Sequence, residues 1–411
     1  MSKEQQEIEQ VLTLLRDPRT IRARAKTILN LAKQDKLTHF ALDAEKMTDT
    51  ASFVIDVIQD QYPTLDVPYH SRWRHFEAGG IDRIQKMQSQ LNTLSSTERG
   101  KVLYELVIIS VFLDAGAGQS WRYKEADTEY SRSEGLALAS LAFYQNGCFS
   151  AKPNEPLRVD AERLIAFSEQ DLQDGFQVNT SNPLEAVAGR VALLNRLGTA
   201  IKENQLYFGT EGRLGDFYIY VSSLANNHIL ETVHIFQAVL GAFNTIWPTR
   251  LSFHGTPLGD VWKHPGLKTA TADSEYIPFH KLSQWLTYSL IEPLEQAGVK
   301  VTELEALTGL PEYRNGGLLI DTGLIRLKNP DNALHAHDPS SELVVEWRAL
   351  TVALLDELAE LIRNRLKKST TELPLAKILQ GGTWEAGRRI AKQKRPQGIP
   401  PIQIISDGTV F

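Results

Sequence analysis

A single cysteine, Cys148, in 411 residues leaves the chain without an intrachain disulfide, a cysteine zinc cluster or a Cys-x-x-Cys redox pair. In Phe143-Tyr144-Gln145-Asn146-Gly147-Cys148-Phe149 it reads as a small apolar residue beside a helix stop, with a nucleophile as the sharper alternative. Also missing is any run of about 18 uncharged apolar residues, the length a membrane-spanning helix needs. The first residues, Met1-Ser2-Lys3-Glu4-Gln5-Gln6-Glu7, lack the basic start and apolar centre of a signal peptide. The expectation is therefore a cytoplasmic protein with no membrane partner. Basic charge is in deficit, 44 Lys and Arg against 50 Asp and Glu, for a formal net charge of -6. General nucleic-acid binding, which needs a basic field to attract phosphates, is not expected, although a local cationic pocket stays open. Strand signals are sparse, limited to Phe217-Tyr218-Ile219-Tyr220-Val221 and Ile402-Gln403-Ile404-Ile405. No repeat, low-complexity tract or long flexible linker divides the chain.

What is present is helical periodicity. Ile8, Val11, Leu12, Leu14 and Leu15 recur at helical spacing before Asp17-Pro18, and Ile21 to Leu31 resumes the pattern. Residues 49–61 form a third amphipathic helix, and Val102 to Leu113 is apolar enough to be buried. Further helices are expected at Ser131 to Tyr144, Val159 to Leu172, Pro183 to Arg196 (Asn182 as cap, Pro183 first), Phe279 to Ala297 with a kink at Pro293, Thr302 to Leu307, Ser341 to Lys367 and Trp384 to Lys394. Gly381-Gly382 is read as a helix stop. These elements predict a mainly α protein with minor β structure near the C-terminus, built as one compact body over 1–411, with 1–95 as a possible N-terminal helical layer.

Chemistry concentrates in Gly309-Leu310-Pro311-Glu312-Tyr313-Arg314-Asn315-Gly316-Gly317, which sets a carboxylate, a phenol and a guanidinium on consecutive residues. Glu312 suits stabilising a cation or activating water, and Arg314 suits clamping a phosphate or carboxylate. The flanking Pro311 and Gly316-Gly317 suggest an irregular turn; the competing reading is a surface loop with an ordinary ion pair. At Phe279-His280-Lys281-Leu282-Ser283-Gln284-Trp285 a helix starts with a Lys, a geometry that suits an anion, and His280 and Gln284 share a face. In the loop from Ser252 to Pro265, His254, Asp260, Trp262 and His264 line a pocket or simply order the loop. His335-Ala336-His337-Asp338 has metal-ligand types without a completed set and reads as a solvated loop. The glycines at 209, 212 and 215 match neither a Walker loop nor a dinucleotide fingerprint and read as a turn. In the tail, Trp384, Arg388 and Asp407 are site candidates against structural docking of the Val410-Phe411 end.

Several of these segments resemble the uracil-catabolism protein four family of fungi and bacteria: Trp247-Pro248-Thr249-Arg250-Leu251, Pro257-Leu258-Gly259-Asp260-Val261-Trp262, Pro278 to Leu286, Leu310 to Gly317, Gly381-Gly382-Thr383-Trp384 and Ser406 to Phe411. They span nearly the whole chain, and the resemblance implies a part in a ring-opening route from uracil to urea. A more distant similarity is to the queuosine 5'-phosphate N-glycosylase family, a helical relative of the DNA-glycosylase fold. Its Phe-Ala-Asp-Tyr-Arg motif is similar to Leu310-Pro311-Glu312-Tyr313-Arg314, its Leu-Gly-x-Leu segment to Thr322-Gly323-Leu324-Ile325, its Phe-Tyr-Lys-Arg-Ala-Gln helix to Phe279-His280-Lys281-Leu282-Ser283-Gln284, and its Glu-Val-Glu-Ile-Arg-Ala helix to Glu342 to Ala349. Here Glu312 replaces the family's catalytic Asp and Gly316-Gly317 its Pro-Gln, which implies a reshaped pocket and a different substrate.

Together these resemblances imply an N-glycosidase with a DNA-glycosylase-like body, acting on a small phosphorylated riboside and needing no metal or other cofactor. Glu312 is the expected catalytic carboxylate, with Asp260, His280 or Asp321 protonating the leaving nitrogen or placing water. Lys281, Arg314, Tyr313, Gln284, Trp262, Trp384 and Asp407 are the expected substrate and phosphate contacts. Two rivals remain: a metal-dependent ureide amidohydrolase using His254, His264, His335 and His337, and a non-catalytic binding or scaffold protein.

Overall fold

A computed structural model of the chain describes residues 2–114, 116–247, 251–271 and 273–405. The protein is mainly α, as expected from the periodicity. Its β structure is small and scattered among two-stranded ladders. Phe40–Leu42 pairs antiparallel with Ile325–Leu327, Ile229–Glu231 parallel with Lys300–Thr302, and near the C-terminus Ala336–His337 pairs parallel with Gln403–Ile404.

Helix starts follow side-chain capping. The Asp17 carboxylate accepts from Arg19 N with Pro18 in the first turn, so Asp17-Pro18 separates the helices Lys3–Leu15 and Pro18–Lys33. Ser95 caps Ser96–Phe112 and Ser341 caps Glu342–Leu366. In the first of these every residue from Val102 to Phe112 is buried. It is apolar all round because Arg132–Gln145, Lys281–Gln296 and Asp216–Ser223 pack around it. Glu342–Leu366 packs along Pro18–Lys33 and Lys46–Gln61. Most buried apolar residues from Ile21 to Ile402 form one cluster, to which 1–95 contributes Ile21, Val54, Trp73 and Met87, while Leu12, Leu15, Leu258, Val261 and Tyr276 form a smaller second one. No helix among the described residues is long and apolar enough to cross a membrane.

Local readings failed where burial decided. Phe217 to Val221 lies in the helix Asp216–Ser223, because Phe217 and Val221 share one buried helical face; a five-residue apolar run does not fix the period. The helix expected from Pro183 begins at Val187, since Asn182 is spent on a loop, accepting from Arg122 N and donating to Arg122 O and Gln177 O. The stretch from Val159 to Leu172 divides into Ala161–Ile165 and Glu169–Gly175. Residues 300–306 form a strand and a 3-10 turn, and Pro293 sits inside Lys281–Gln296. Gly381-Gly382 does not stop a helix: a π turn over Leu379–Thr383 joins Leu375–Ile378 to Trp384–Lys394.

Two glycine contacts place the chemical segment. Tyr313–Asp321 is a helix, so Gly316-Gly317 is helical rather than a turn. A Cβ on Gly316 would lie 2.7 Å from the Trp347 ring, and one on Gly387 would lie 2.2 Å from Arg314 O. The short helix is thus gripped between Glu342–Leu366 and Trp384–Lys394, and close packing outweighs glycine's helix penalty of about 1 kcal/mol.

Candidate functional site

A cavity of about 370 Å³ opens between the starts of the helices at Tyr313, Lys281 and Trp384, Asp114 with residues 116–119, and the region of His70 and His75, with Ser133, Glu185 and residues 398–400 also in its wall. Glu312 is the N-cap of Tyr313–Asp321. Its Oε2 accepts from Arg314 N at 2.8 Å and its Oε1 from Asn315 N at 2.6 Å. The Asn315 side chain donates to Leu310 O and accepts from Thr383 Oγ1, tying this turn to the residue before Trp384. Glu312 is 9% exposed, and burial pushes its carboxyl above the ordinary range against the pull of Arg314, the two N–H groups and Lys281.

Arg314 is 5% exposed and lies over Trp384, with 4.0 Å from its guanidinium carbon to the ring centroid. Neither Nη1 nor Nη2 has a hydrogen-bond partner among the described residues. Burial works against its charge, but Tyr313, Glu312 and Glu134 more than offset this, so the group stays a cation. A buried, stacked guanidinium with both terminal nitrogens unused is prepared to receive a planar or tetrahedral anion. Lys281 joins it in the wall; burial lowers its pKa, and Glu312 is the strongest influence holding it charged.

Among the expected site residues, Glu312, Lys281, Arg314, Tyr313 and Trp384 line this cavity. Asp260, His280, Gln284, Asp321 and Trp262 do not. Asp260 grips Arg348 with both oxygens at 2.7 and 2.8 Å and accepts from Trp262 Nε1 and Lys281 N. The anion that the helix start at Lys281 attracts is therefore the chain's own carboxylate. His280, at φ 45°, places its Nε2 2.9 Å from Leu15 O, and Asp321 meets Arg395 through both oxygens. Gln284 donates to Thr308 Oγ1 and accepts from Thr308 N, which fixes the irregular segment leading into Leu310 and Glu312. These five lie outside the cavity lining. Asp407 lies outside the described residues, as do Ser406 to Phe411 and residues 248–250 of the segment at Trp247.

Sequence reading missed His70, His75, Trp285 and Asp114. The two imidazoles lie between Trp285 and Trp384, with centroid separations from 5.8 to 6.4 Å. Burial pulls His70 down to about 4 and His75 to about 3, so both are neutral at pH 7. The Trp285 indole N–H and His75 Nδ1 are buried without a partner. Trp285 stands in the segment singled out at Lys281, one turn along the same helix; no local pattern marks His70, His75 or Asp114, which converge from stretches far apart in sequence.

The histidines of the metal reading do not converge. His254 and His335 stand apart, and His337 Nε2 lies 2.7 Å from Asn332 O. One set of possible ligands occurs among the described residues, His264 with Glu342 and Glu346. Gly266 N donates to His264 Nδ1, which leaves the ring proton on Nε2, the atom that faces Glu346 at 3.5 Å. Glu346 accepts from Thr38 N and His39 N, and Glu342 from Thr38 Oγ1. This donor set anchors the segment before Phe40 and does not suit a cation.

Fold and cavity thus define a mainly helical protein with a carboxylate–arginine cavity walled by tryptophan and histidine; a second cavity, lined by Arg74, Glu129, Glu134 and Arg388, shares His70, His75 and Trp384 with it. The chain belongs to the family described as "Protein of unknown function (DUF1688)", which matches residues 14–411. It is 41% identical over 402 residues to "Protein urg3" of Schizosaccharomyces pombe, covering 95% of this chain and 96% of that one. It is 35% identical over 428 residues to "Uracil catabolism protein 4" of Lachancea kluyveri, covering 95% and 97%.

Proposed function

We propose that the protein acts in uracil catabolism as an N-glycoside hydrolase on a ribosylated, 5'-phosphorylated breakdown product such as ribosylurea 5-phosphate, releasing urea and ribose 5-phosphate. The observation that carries this reading is a buried carboxylate, Glu312, in one cavity with a buried guanidinium, Arg314, whose two terminal nitrogens have no hydrogen-bond partner among the described residues. The name of the Lachancea relative supports the pathway.

Breaking a C1'–N bond builds positive charge on the ribose, and a carboxylate held by two backbone N–H groups is already oriented toward that charge. Arg314 and Lys281 hold the 5'-phosphate, so that binding energy remote from the reacting bond places C1' against Glu312. Trp384 fixes the plane of Arg314, and Tyr313 and Trp285 give the ribose an apolar wall. Gln284 and Asp260 act by holding the two helix starts in register.

The test is release of urea and ribose 5-phosphate from synthetic ribosylurea 5-phosphate, with and without EDTA. Release that EDTA leaves unchanged, and that Glu312→Gln reduces at least a hundred-fold, supports the glycosidase. Full turnover by Glu312→Gln sinks the assignment; loss with EDTA would favour the amidohydrolase, and no release the binding protein.

A further inference from the structure

None of the residues first considered as proton carriers reaches the cavity, yet two carboxylates besides Glu312 do, Asp114 and Glu185, and of these Asp114 is the one paired with a fully buried arginine. Asp114 follows the buried helix Ser96–Phe112, lines the cavity with Glu312 and Lys281, and is itself nearly buried, with 9% of its side chain exposed. Its position is held from two sides. Arg72, which is fully buried, brings Nη1 to 3.0 Å from Asp114 Oδ1. The same arginine donates from Nε to Ser110 Oγ at 2.7 Å and from its backbone N to Ser289 Oγ at 2.9 Å. Arg190 donates to Leu113 O and, at 2.7 Å, to Gly116 O, pinning the chain on both sides of Asp114.

We infer that Asp114 is the catalytic base of this site, the carboxylate that takes the proton from the water attacking C1'. This rests on the glycosidase reading. The surroundings of the two carboxylates differ: both oxygens of Glu312 accept from backbone N–H groups, whereas Asp114 Oδ1 stands beside Arg72 with no hydrogen bond from the described residues, which leaves it open to a water in the cavity. Lys281 lines the same cavity as both carboxylates. In the step, the C1'–N bond breaks with its electron pair going to nitrogen and the water oxygen bonds to C1'. One water proton passes to Asp114 and from there to the departing nitrogen, so the products are neutral urea and ribose 5-phosphate with no net change at the enzyme. An ion pair serving only to hold the loop at 113–118 is the competing role.

The experiment compares wild-type, Asp114→Asn and Asp114→Ala proteins on ribosylurea 5-phosphate, with thermal melts alongside. The expected result is a fall in kcat of about a hundred-fold or more in both variants, the range of a lost general base, with KM changed less than three-fold. Added formate is expected to restore part of the turnover of Asp114→Ala. Retention of more than a tenth of wild-type kcat by Asp114→Asn overturns the inference, as does a folded Asp114→Ala that formate does not rescue. If both variants fail to fold, Asp114→Glu keeps the charge beside Arg72 and moves the acceptor by one methylene: a hundred-fold loss of kcat at unchanged KM supports the base, and wild-type kcat overturns it. A wild-type protein that releases no urea sinks the glycosidase reading and the base with it, whereas active wild type with unaffected variants removes Asp114 alone.

Discussion

The guanidinium of Arg314 stacks on Trp384 at 4.0 Å, although the two residues belong to helices separated by the whole of Glu342–Leu366. Gly387 permits this approach, since any side chain there would collide with Arg314 O. Stacking fixes the plane of a cation whose terminal nitrogens have no hydrogen-bond partner among the described residues. Replacing Arg314 by Lys keeps charge but loses both the plane and the second donor. The expected outcome is a rise in KM of about ten-fold or more, equivalent to about 1.4 kcal/mol, with a smaller effect for Trp384→Phe; steady-state kinetics on the phosphorylated riboside would show it, and an unchanged KM for Arg314→Lys would place the phosphate elsewhere.

The pH dependence follows from Glu312. Its carboxyl is raised by burial and lowered by Arg314 and Lys281. The ionised form stabilises a sugar cation, so kcat/KM should climb with pH through a pKa above the ordinary 4.5. A bound phosphate dianion neutralises the field of Arg314 and Lys281, which raises Glu312 further in the complex. The acid limb of kcat is therefore expected at higher pH than that of kcat/KM, and coincident limbs would mean that the phosphate does not meet these cations.

His70 and His75 are expected to stay neutral from pH 5 to 8, because burial pulls them to about 4 and about 3. Imidazole resonances followed by NMR should not titrate in that interval. A titration midpoint near 6.5 for either would show that the wall between Trp285 and Trp384 admits more water than its packing implies.

Arg348 and Asp260 form a buried pair at 2.7 and 2.8 Å beneath the start of the helix at Lys281. Arg348 and its hydrogen bonds hold the Asp260 carboxyl well below its ordinary 3.8 despite burial. A depressed carboxylate contributes stability that is present above its unfolded pKa and is lost as pH falls through the folded one. Arg348→Met leaves the charge of Asp260 buried and uncompensated, at a cost of about 3–5 kcal/mol at pH 7. Denaturant melts are expected to show that loss, and to show it shrinking as pH falls and Asp260 protonates; a loss under 1 kcal/mol at pH 7 would contradict the pairing.

Glu346 accepts two backbone N–H groups from the segment at Thr38 and His39. Glu346→Ala should cost about 1–3 kcal/mol by removing the charged acceptor of two partly exposed donors, while dialysis against zinc followed by metal analysis should find no stoichiometric ion on the wild type. A bound equivalent that Glu346→Ala removes would reverse the assignment of the ring proton on His264.

The sequence by itself determined the helical class and most long helices, because a 3.6-residue apolar period and caps such as Asp17 and Ser341 act within one or two turns. It also singled out Glu312, Tyr313, Arg314, Lys281 and Trp384, whose types and spacing stand out locally. Tertiary structure decided what those types could not. Asp260, His280, Gln284 and Asp321 carry the same chemistry as cavity residues, but their oxygens and nitrogens are taken by Arg348, Leu15, Thr308 and Arg395, partners up to 265 positions away. Gly316-Gly317 reads as a turn until the tryptophan pressed against Gly316 is known. Asp114, His70 and His75 become part of a site only because helices distant in sequence close around one cavity, and a buried cavity is set by packing between elements, which no local stretch of chain encodes.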